Sequence, residues 1–314
     1  MQESRQLLLT CAVAVFLSHA VSSPAAAQPN APDREIRVMS YNIKHGQTNE
    51  VCTTPPRVPG EPPPAECGLD LQAAADVIRS FGPDIVGLQE IDRFWARSAY
   101  LDEPAELSRA LGLEHVCYAP NLDHGPDSHS PVPHQYGTAI LSRFPILECT
   151  NRLLPRVGTE EQRGLTLARI NVRGVPLNFY NTHLHTTAQA RELQTVDIAA
   201  VLDARPTGPT LLMGDFNARS TFTTAAPEMT PIYARLVDSW RAAPLPDGEN
   251  PEGFTSSARL TGLPTARIDY VFVSKEVGTR GTFVPITEAT RFAADHYPVV
   301  ADLALPGSAV GIGR

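Results

Sequence analysis

Short apolar runs of strand length recur along the whole chain, and several stop on an acid, an amide or an imidazole. The run LLMGDFNA, Leu211 to Ala218, shows the pattern: aliphatic residues lead straight into Asp215, an aromatic and Asn217. In an extended segment residues i and i+2 point to one side. Asp215 and Asn217 therefore converge on one spot at the carboxyl end of a buried strand. Alone, such a pair also reads as a turn, because Asp and Asn bond nearby backbone. The recurrence argues otherwise. RVMSYN ends on Asn42, DIVGLQE on Glu90 and NFYNTH on His183; RIDY sets Asp269 at the opening of an apolar strand, and ADHYP sets Asp295 and His296 just before another. If these termini share one edge, they form a dense polar cluster over an apolar interior.

The strand-like runs are EIRVMSYNI, DIVGLQE, EHVCYA, GTAILS, LTLARINV, VPLNFYNTHL, PTLLMGDF, RIDYVFVS and PVVADLAL. Helical periodicity separates some of them. LDLQAAADVIRSFG puts Leu71, Ala74, Ala75 and Ile78 on one face, and EPAELSRALG is a second short helix. The longest, TTAQARELQTVDIAAVLDA, offers Leu193, Val196, Ile198, Ala200 and Val201 as an apolar face. This mixture predicts an α/β sandwich of two mixed β-sheets packed face to face with outer helices. No repeat and no second composition regime appears, so residues 28–314 are expected to form one domain. At 314 residues and 42% hydrophobic content the chain can bury a sizeable core. Its net charge of −8 argues against a general nucleic-acid coat but not against a phosphate-bearing substrate, for which local charge matters.

Residues 1–27 read as a signal peptide: Arg5 supplies the positive charge ahead of the apolar stretch Leu7 to Leu17, and SPAAA precedes a cut after Ala27. That stretch is too short to span a membrane, which takes about 20 residues. A secreted or periplasmic location is expected. Four cysteines then remain, Cys52, Cys67, Cys117 and Cys149, an even set that predicts disulfides in an exported chain. A Cys52–Cys67 bridge would staple the proline-rich loop between them, while Cys117 and Cys149 lie near predicted strands and can pair across a sheet. No CxxC pair points to zinc. Two long loops are expected, 46–68 and 119–135. The second carries His124, His129 and His134 at spacings that do not define a metal site. Trp95, shortly after Glu90, either lines a cleft or packs under a loop.

The residue types at the strand ends fit phosphate chemistry. Asn42, Glu90 and Asp295 offer hard oxygens suited to Mg²⁺ or Mn²⁺. Asp269 and His296 suit an Asp–His pair in which the carboxylate fixes the tautomer. Asp215 beside a positioned water can serve as general base, Asn217 can donate to a phosphoryl oxygen, and Arg163 can bind phosphate with two N–H groups. No GxSxG or other covalent nucleophile is evident.

The ordered set SYNIKHG, DIVGLQEID, YGTAILSRFPI, QRGL, NTHL, GDFNA, RIDYVFVS and ADHYPVVADL resembles the endonuclease/exonuclease/phosphatase superfamily over about residues 36–304. The superfamily includes deoxyribonucleases, abasic-site endonucleases, sphingomyelinases and inositol-phosphate phosphatases. The resemblance implies a four-layered α/β/β/α sandwich. It also implies metal binding by Asn42 and Glu90 with Asp295 joining, activation of water by Asp215, and phosphate held by Asn217. His183 would contact the phosphate or the leaving oxygen, His296 would pair with Asp269, and Arg163 is carried over on a looser motif. Which histidine protonates the leaving group stays open. The basic DNA-gripping loops of the nucleases and the aromatic hairpin of secreted sphingomyelinases are not evident. The expectation is an exported, Mg²⁺-dependent phosphodiesterase, acting as a monomer on a nucleic-acid or lipid head-group diester. The alternatives are a phosphomonoesterase of the same fold and a binding module that has lost the chemistry.

Overall fold

Strands whose residues alternate between two buried faces need cover on both sides, and the chain meets that need with four layers. A computed structural model describes residues 34–49, 68–126, 131–244, 250–257 and 263–306. In chain order the elements are β1 (Glu35–Asn42), α1 (Leu71–Phe81), β2 (Ile85–Arg93), α2 (Glu103–Leu111), β3 (His115–His124), β4 (His134–Ser142), β5 (Ile146–Leu153), β6 (Gly164–Val172) and β7 (Val175–His183). There follow α3 (Ala188–Ala204), β8 (Thr210–Ser220), α4 (Thr230–Tyr233), β9 (Val237–Asp238), α5 (Ser239–Ala242), β10 (Ser256–Ser257), β11 (Pro264–Val273), β12 (Gly278–Phe283), α6 (Glu288–Ala293) and β13 (Val299–Ala304).

One sheet has the order β12-β13-β1-β2-β4-β3 and the other β10-β11-β8-β7-β6-β5, with β9 pairing β11. Both are mixed, since β1 pairs β2 and β7 pairs β8 in parallel while their other neighbours run antiparallel. Ile36, Val38, Ile140, Ile170, Phe179, Met213 and Val271 belong to the core between the sheets. Met39, Leu88 and Leu141 pack outward with Ala74 and Ile78 of α1 and Leu107 of α2. On the far side Tyr180, Leu212 and Phe272 meet Ile198 and Leu202 of α3 and Ile232 of α4. The expected α/β/β/α sandwich is what the chain forms.

The inner columns of these strands change character at one edge. β1 reads Ile36, Val38, Ser40, Asn42; β7 reads Leu177, Phe179, Asn181, His183; β8 reads Leu211, Met213, Asp215. The antiparallel strands enter from that edge, so the same change runs backwards in β4 (Tyr136, Thr138, Ile140) and β11 (Asp269, Val271, Val273). Just below the edge a polar tier joins the sheets. Gln89 Nε2 donates to Asn181 Oδ1 at 2.7 Å, and the Thr138 and Thr166 hydroxyls meet at 2.5 Å. Buried amides and hydroxyls that satisfy one another fix sheet against sheet more specifically than apolar contact does. At the opposite edge the body's two ends meet, where Leu305 N donates to Arg34 O at 3.0 Å.

Several expectations are corrected. The buried face of α3 is Ala190, Arg191, Gln194, Thr195, Ile198, Ala199 and Leu202, while Leu193 and Val196 are 48% and 60% exposed. Polar residues take the inner face because each finds partners there: Arg191 pairs with Glu228, Gln194 reaches Pro155 O and His185 N, and Thr195 donates to Glu228 O. Of the expected loop 119–135, residues 119–124 and 134–135 belong to the β3–β4 hairpin, whose pairing continues to His124 and His134. Cys117 and Cys149 are disulfide-bonded, and the bridge joins β3 of one sheet to β5 of the other rather than crossing a single sheet. The expected Cys52–Cys67 bridge, His129, the leader and most of loop 46–68 lie outside the described residues.

Candidate active site

At the polar edge the chain reverses in strained steps. Lys44 (φ 47°), His45 (φ 44°), Glu90 (φ 56°) and Asn217 (φ 50°) all adopt the left-handed region, at a cost of order 1 kcal/mol or more for each such residue. Glu90 sits in a break in the β2–β4 register between Gln89 and Ile91. A bulge there re-aims the side chain toward the seam between the sheets. A second register break follows Asp215, between Asp269 and Arg267 on the partner strand, and turns Asn217 back over the strand end.

The expected side chains meet in one network. The Asn42 amide nitrogen donates to Glu90 Oε1 (3.0 Å) and to Asp215 Oδ2 (3.1 Å), crossing from one sheet to the other. Its oxygen accepts the Lys44 N–H at 3.1 Å, and Lys44 Nζ lies 3.2 Å from Asp295 Oδ2. Asp215 Oδ1 accepts the Asn217 N–H at 2.8 Å. The Asn217 amide donates to Leu184 O and lies 3.2 Å from His183 Nε2.

His183 Nδ1 is 2.8 Å from Arg163 Nη1. A guanidinium only donates, so Nδ1 accepts and Nε2 carries the proton, 3.4 Å from Asp215 Oδ2. Burial first, and then Arg163, hold His183 well below the ordinary imidazole range. His296 is the opposite case. Burial alone would lower it, but Asp269 and Asp215 more than offset this and hold it well above that range. Its Nδ1 donates to Asp269 Oδ2 at 2.8 Å, Asp269 also accepts from Thr255 Oγ1 at 2.6 Å, and His296 Nε2 lies 3.7 Å from Asp215 Oδ2. One neutral and one charged imidazole thus flank the same carboxylate oxygen.

Burial, followed by the Asp269 charge, pushes the Asp215 carboxyl up to about 7. The part due to Asp269 is one that a nearby divalent cation would offset. Asp215, Asp269 and His296 bring ligand atoms within 4.8 Å of one another, yet an imidazolium bonded to Asp269 repels a cation. The hard-oxygen set of Glu90, Asp295 and Asn42 fits one better.

The sequence missed three residues here. Thr255 fixes Asp269, Lys44 faces Asp295, and Tyr136 stands near the start of β4; none carries a signal beyond its type. Trp95 is half-buried between the rings of His124 and His134, at 5.4 and 5.5 Å, with Arg97 over its face. Packing beneath the hairpin is therefore its main contact.

A model of the endonuclease/exonuclease/phosphatase family matches residues 39–296. Uncharacterized protein YbhP of Escherichia coli K12 is 26% identical over 238 residues, 73% of this chain and 87% of that one. Among solved structures, an endonuclease/exonuclease/phosphatase from Beutenbergia cavernae superposes with a TM-score of 0.64 at 25% identity, covering 87% of this chain and 72% of the other. A mannosyl-6-phosphatase from Bacteroides thetaiotaomicron gives 0.60 at 19% identity, covering 86% and 100%. TDP2 from Caenorhabditis elegans gives 0.57 at 19%, covering 86% and 75%. At these last identities the likeness is one of fold.

Proposed function

The chain belongs to the endonuclease/exonuclease/phosphatase family, a metal-dependent hydrolase of phosphate esters, and we propose that it is an exported phosphodiesterase using Mg²⁺ or Mn²⁺. The observation that carries this reading is the Asp215 carboxylate. It is buried, reached from both sheets, and bracketed by donors suited to a phosphoryl group. Asp215 orients the attacking water and takes its proton, a task for which a carboxyl near neutrality is suited. Asn217, the Nε2–H of His183 and the guanidinium of Arg163 stabilise the phosphoryl oxygens as charge builds on them. His296, kept charged by Asp269, adds positive charge on the other flank. Asn42, Glu90 and Asp295 would hold the metal, which supplies Lewis-acid polarisation of the phosphate when bound. The reading is a single displacement by water, in keeping with a sequence that carries no GxSxG motif. The leader read in residues 1–27, together with the Cys117–Cys149 bridge, supports a location outside the cytoplasm. The substrate is a nucleic-acid or lipid head-group diester.

The test is hydrolysis of bis(p-nitrophenyl) phosphate by the purified protein with Mg²⁺, with Mn²⁺ and with excess chelator. Metal-dependent turnover is expected, and Asp215→Ala should lower it by about 10²–10⁴-fold at an unchanged melting temperature. Equal rates in the variant would remove Asp215 from its role. Preference for p-nitrophenyl phosphate over the diester would replace the reading with a monoesterase.

A further inference from the structure

Tyr136 stands in none of the strand-end positions that pointed to the site, yet its strand delivers it there. On β4 it shares the inner face with Thr138 and Ile140. Ile140 lies in the core between the sheets and Thr138 bonds Thr166 of β6 across the seam, so Tyr136 comes next, at the polar edge. Its register partner on β2 is Asp92, just past the Glu90 bulge. On the facing sheet the column below it ends at Thr166 and Gly164, and the residue beyond is Arg163. The charges that bear on the phenol are accordingly those of Glu90, Arg163, Glu161 and Arg97.

The ring is fixed. Arg97 lies over it with Cζ 5.2 Å from the centroid, and Arg97 is itself pinned by two 2.8 Å bonds to the fully buried Asp92. The hydroxyl, in contrast, has no hydrogen bond among the described residues. It is also not sealed off, unlike the hydroxyls of Tyr41 and Tyr118, which are buried with no partner. A rigid phenol, open at its tip and held between a carboxylate expected on the metal and a guanidinium expected on the phosphate, is a donor awaiting an acceptor.

We propose that the Tyr136 hydroxyl donates a hydrogen bond to a non-bridging oxygen of the substrate's phosphoryl group, which makes it a further catalytic residue. The proposal rests on the phosphate-ester reading of the same site. Burial keeps the phenol protonated at neutral pH, so it is a donor throughout the working range. A single preorganised donor to a developing oxyanion is worth about 10²–10³-fold in rate when fully desolvated. The Tyr136 hydroxyl is not among the sealed polar atoms, so it belongs at or below the lower end of that range.

The experiment compares wild type, Tyr136→Phe and Tyr118→Phe. Phe keeps the ring under Arg97, so all three should melt at one temperature. With bis(p-nitrophenyl) phosphate and Mg²⁺, Tyr136→Phe should lose roughly 10–10²-fold in kcat with a much smaller change in KM, the signature of a contact made in the transition state. Tyr118→Phe should match wild type. A second arm titrates inorganic phosphate into the metal-free proteins by calorimetry, where Tyr136→Phe should bind several-fold more weakly. Wild-type kcat together with wild-type phosphate affinity in Tyr136→Phe would overturn the assignment and leave Tyr136 as packing. Absence of diester turnover in the wild type itself would count against the phosphodiesterase, and the phosphate titration would still decide Tyr136.

Discussion

Glu103 shows how much a single buried acid can govern behind the site. It is fully buried; Oε2 accepts the Asp92 N–H at 2.8 Å, and Oε1 has no partner among the described residues. Burial, and then the Asp92 charge, raise its carboxyl well above the ordinary value. A folded-state value above the unfolded one means the folded chain binds the extra proton. The penalty is absent at acid pH, where both states are protonated, and it grows as pH rises from the unfolded value to the folded one. Glu103→Gln, which keeps the acceptor for Asp92, should therefore stabilise the protein at pH 8 by about 1 kcal/mol or more and do nothing near pH 3. Urea midpoints at the two pH values check this, and an equal effect at both would refute the neutral acid. At this scale the sequence was informative for Asp215, Asn217 and His183, because acids and amides rarely end apolar strands without cause. It was silent for Thr255 and Tyr136, whose types are at home in any strand.

At the scale of elements, Gly214 decides whether β7 and β8 can lie side by side under the site. Its φ is 144°, and a methyl there would sit 1.9 Å from Thr182 O on the neighbouring strand. Gly214→Ala forces apart the parallel pair that carries His183 and Asp215. Its cost should exceed about 2 kcal/mol, through strain and lost ladder bonds together; a urea midpoint equal to wild type would mean the strands have slack. Elements with alternating buried faces were legible, and β1, β2, β6, β7, β8, β11 and β13 fall where their apolar runs stand. Those without such faces were not. β5 is an edge strand exposed along most of its length, and β12 is short and exposed in part, so neither carries an apolar pattern. The inner face of α3 was misread because its polar residues are buried through specific partners, which periodicity alone does not reveal.

For the whole molecule, the site is complete only when both sheets are in place. Asn42, Glu90, Asp295 and His296 come from the β1 sheet and its flanks, and Arg163, His183, Asp215, Asn217 and Asp269 from the other. Sliding one sheet over the other would separate Asn42 from Asp215 before it unfolded anything. The Cys117–Cys149 bridge clasps the two sheets at one side, closing a loop with a sequence separation of 32. Its reduction should lower stability by about 2–4 kcal/mol. Comparison of oxidised and thiol-treated protein in urea tests this, and coincident curves would show that the inter-sheet core suffices.

The hydrogen bond between Leu305 and Arg34 has a practical side. β1 starts at that edge and finishes at the site, so Arg34 and Leu305 lie at the opposite end of the strand from the chemistry. A fluorophore placed on a residue of that edge would sit the length of a strand away from the site. That edge, rather than the polar one, is the place from which to hold this molecule while it works.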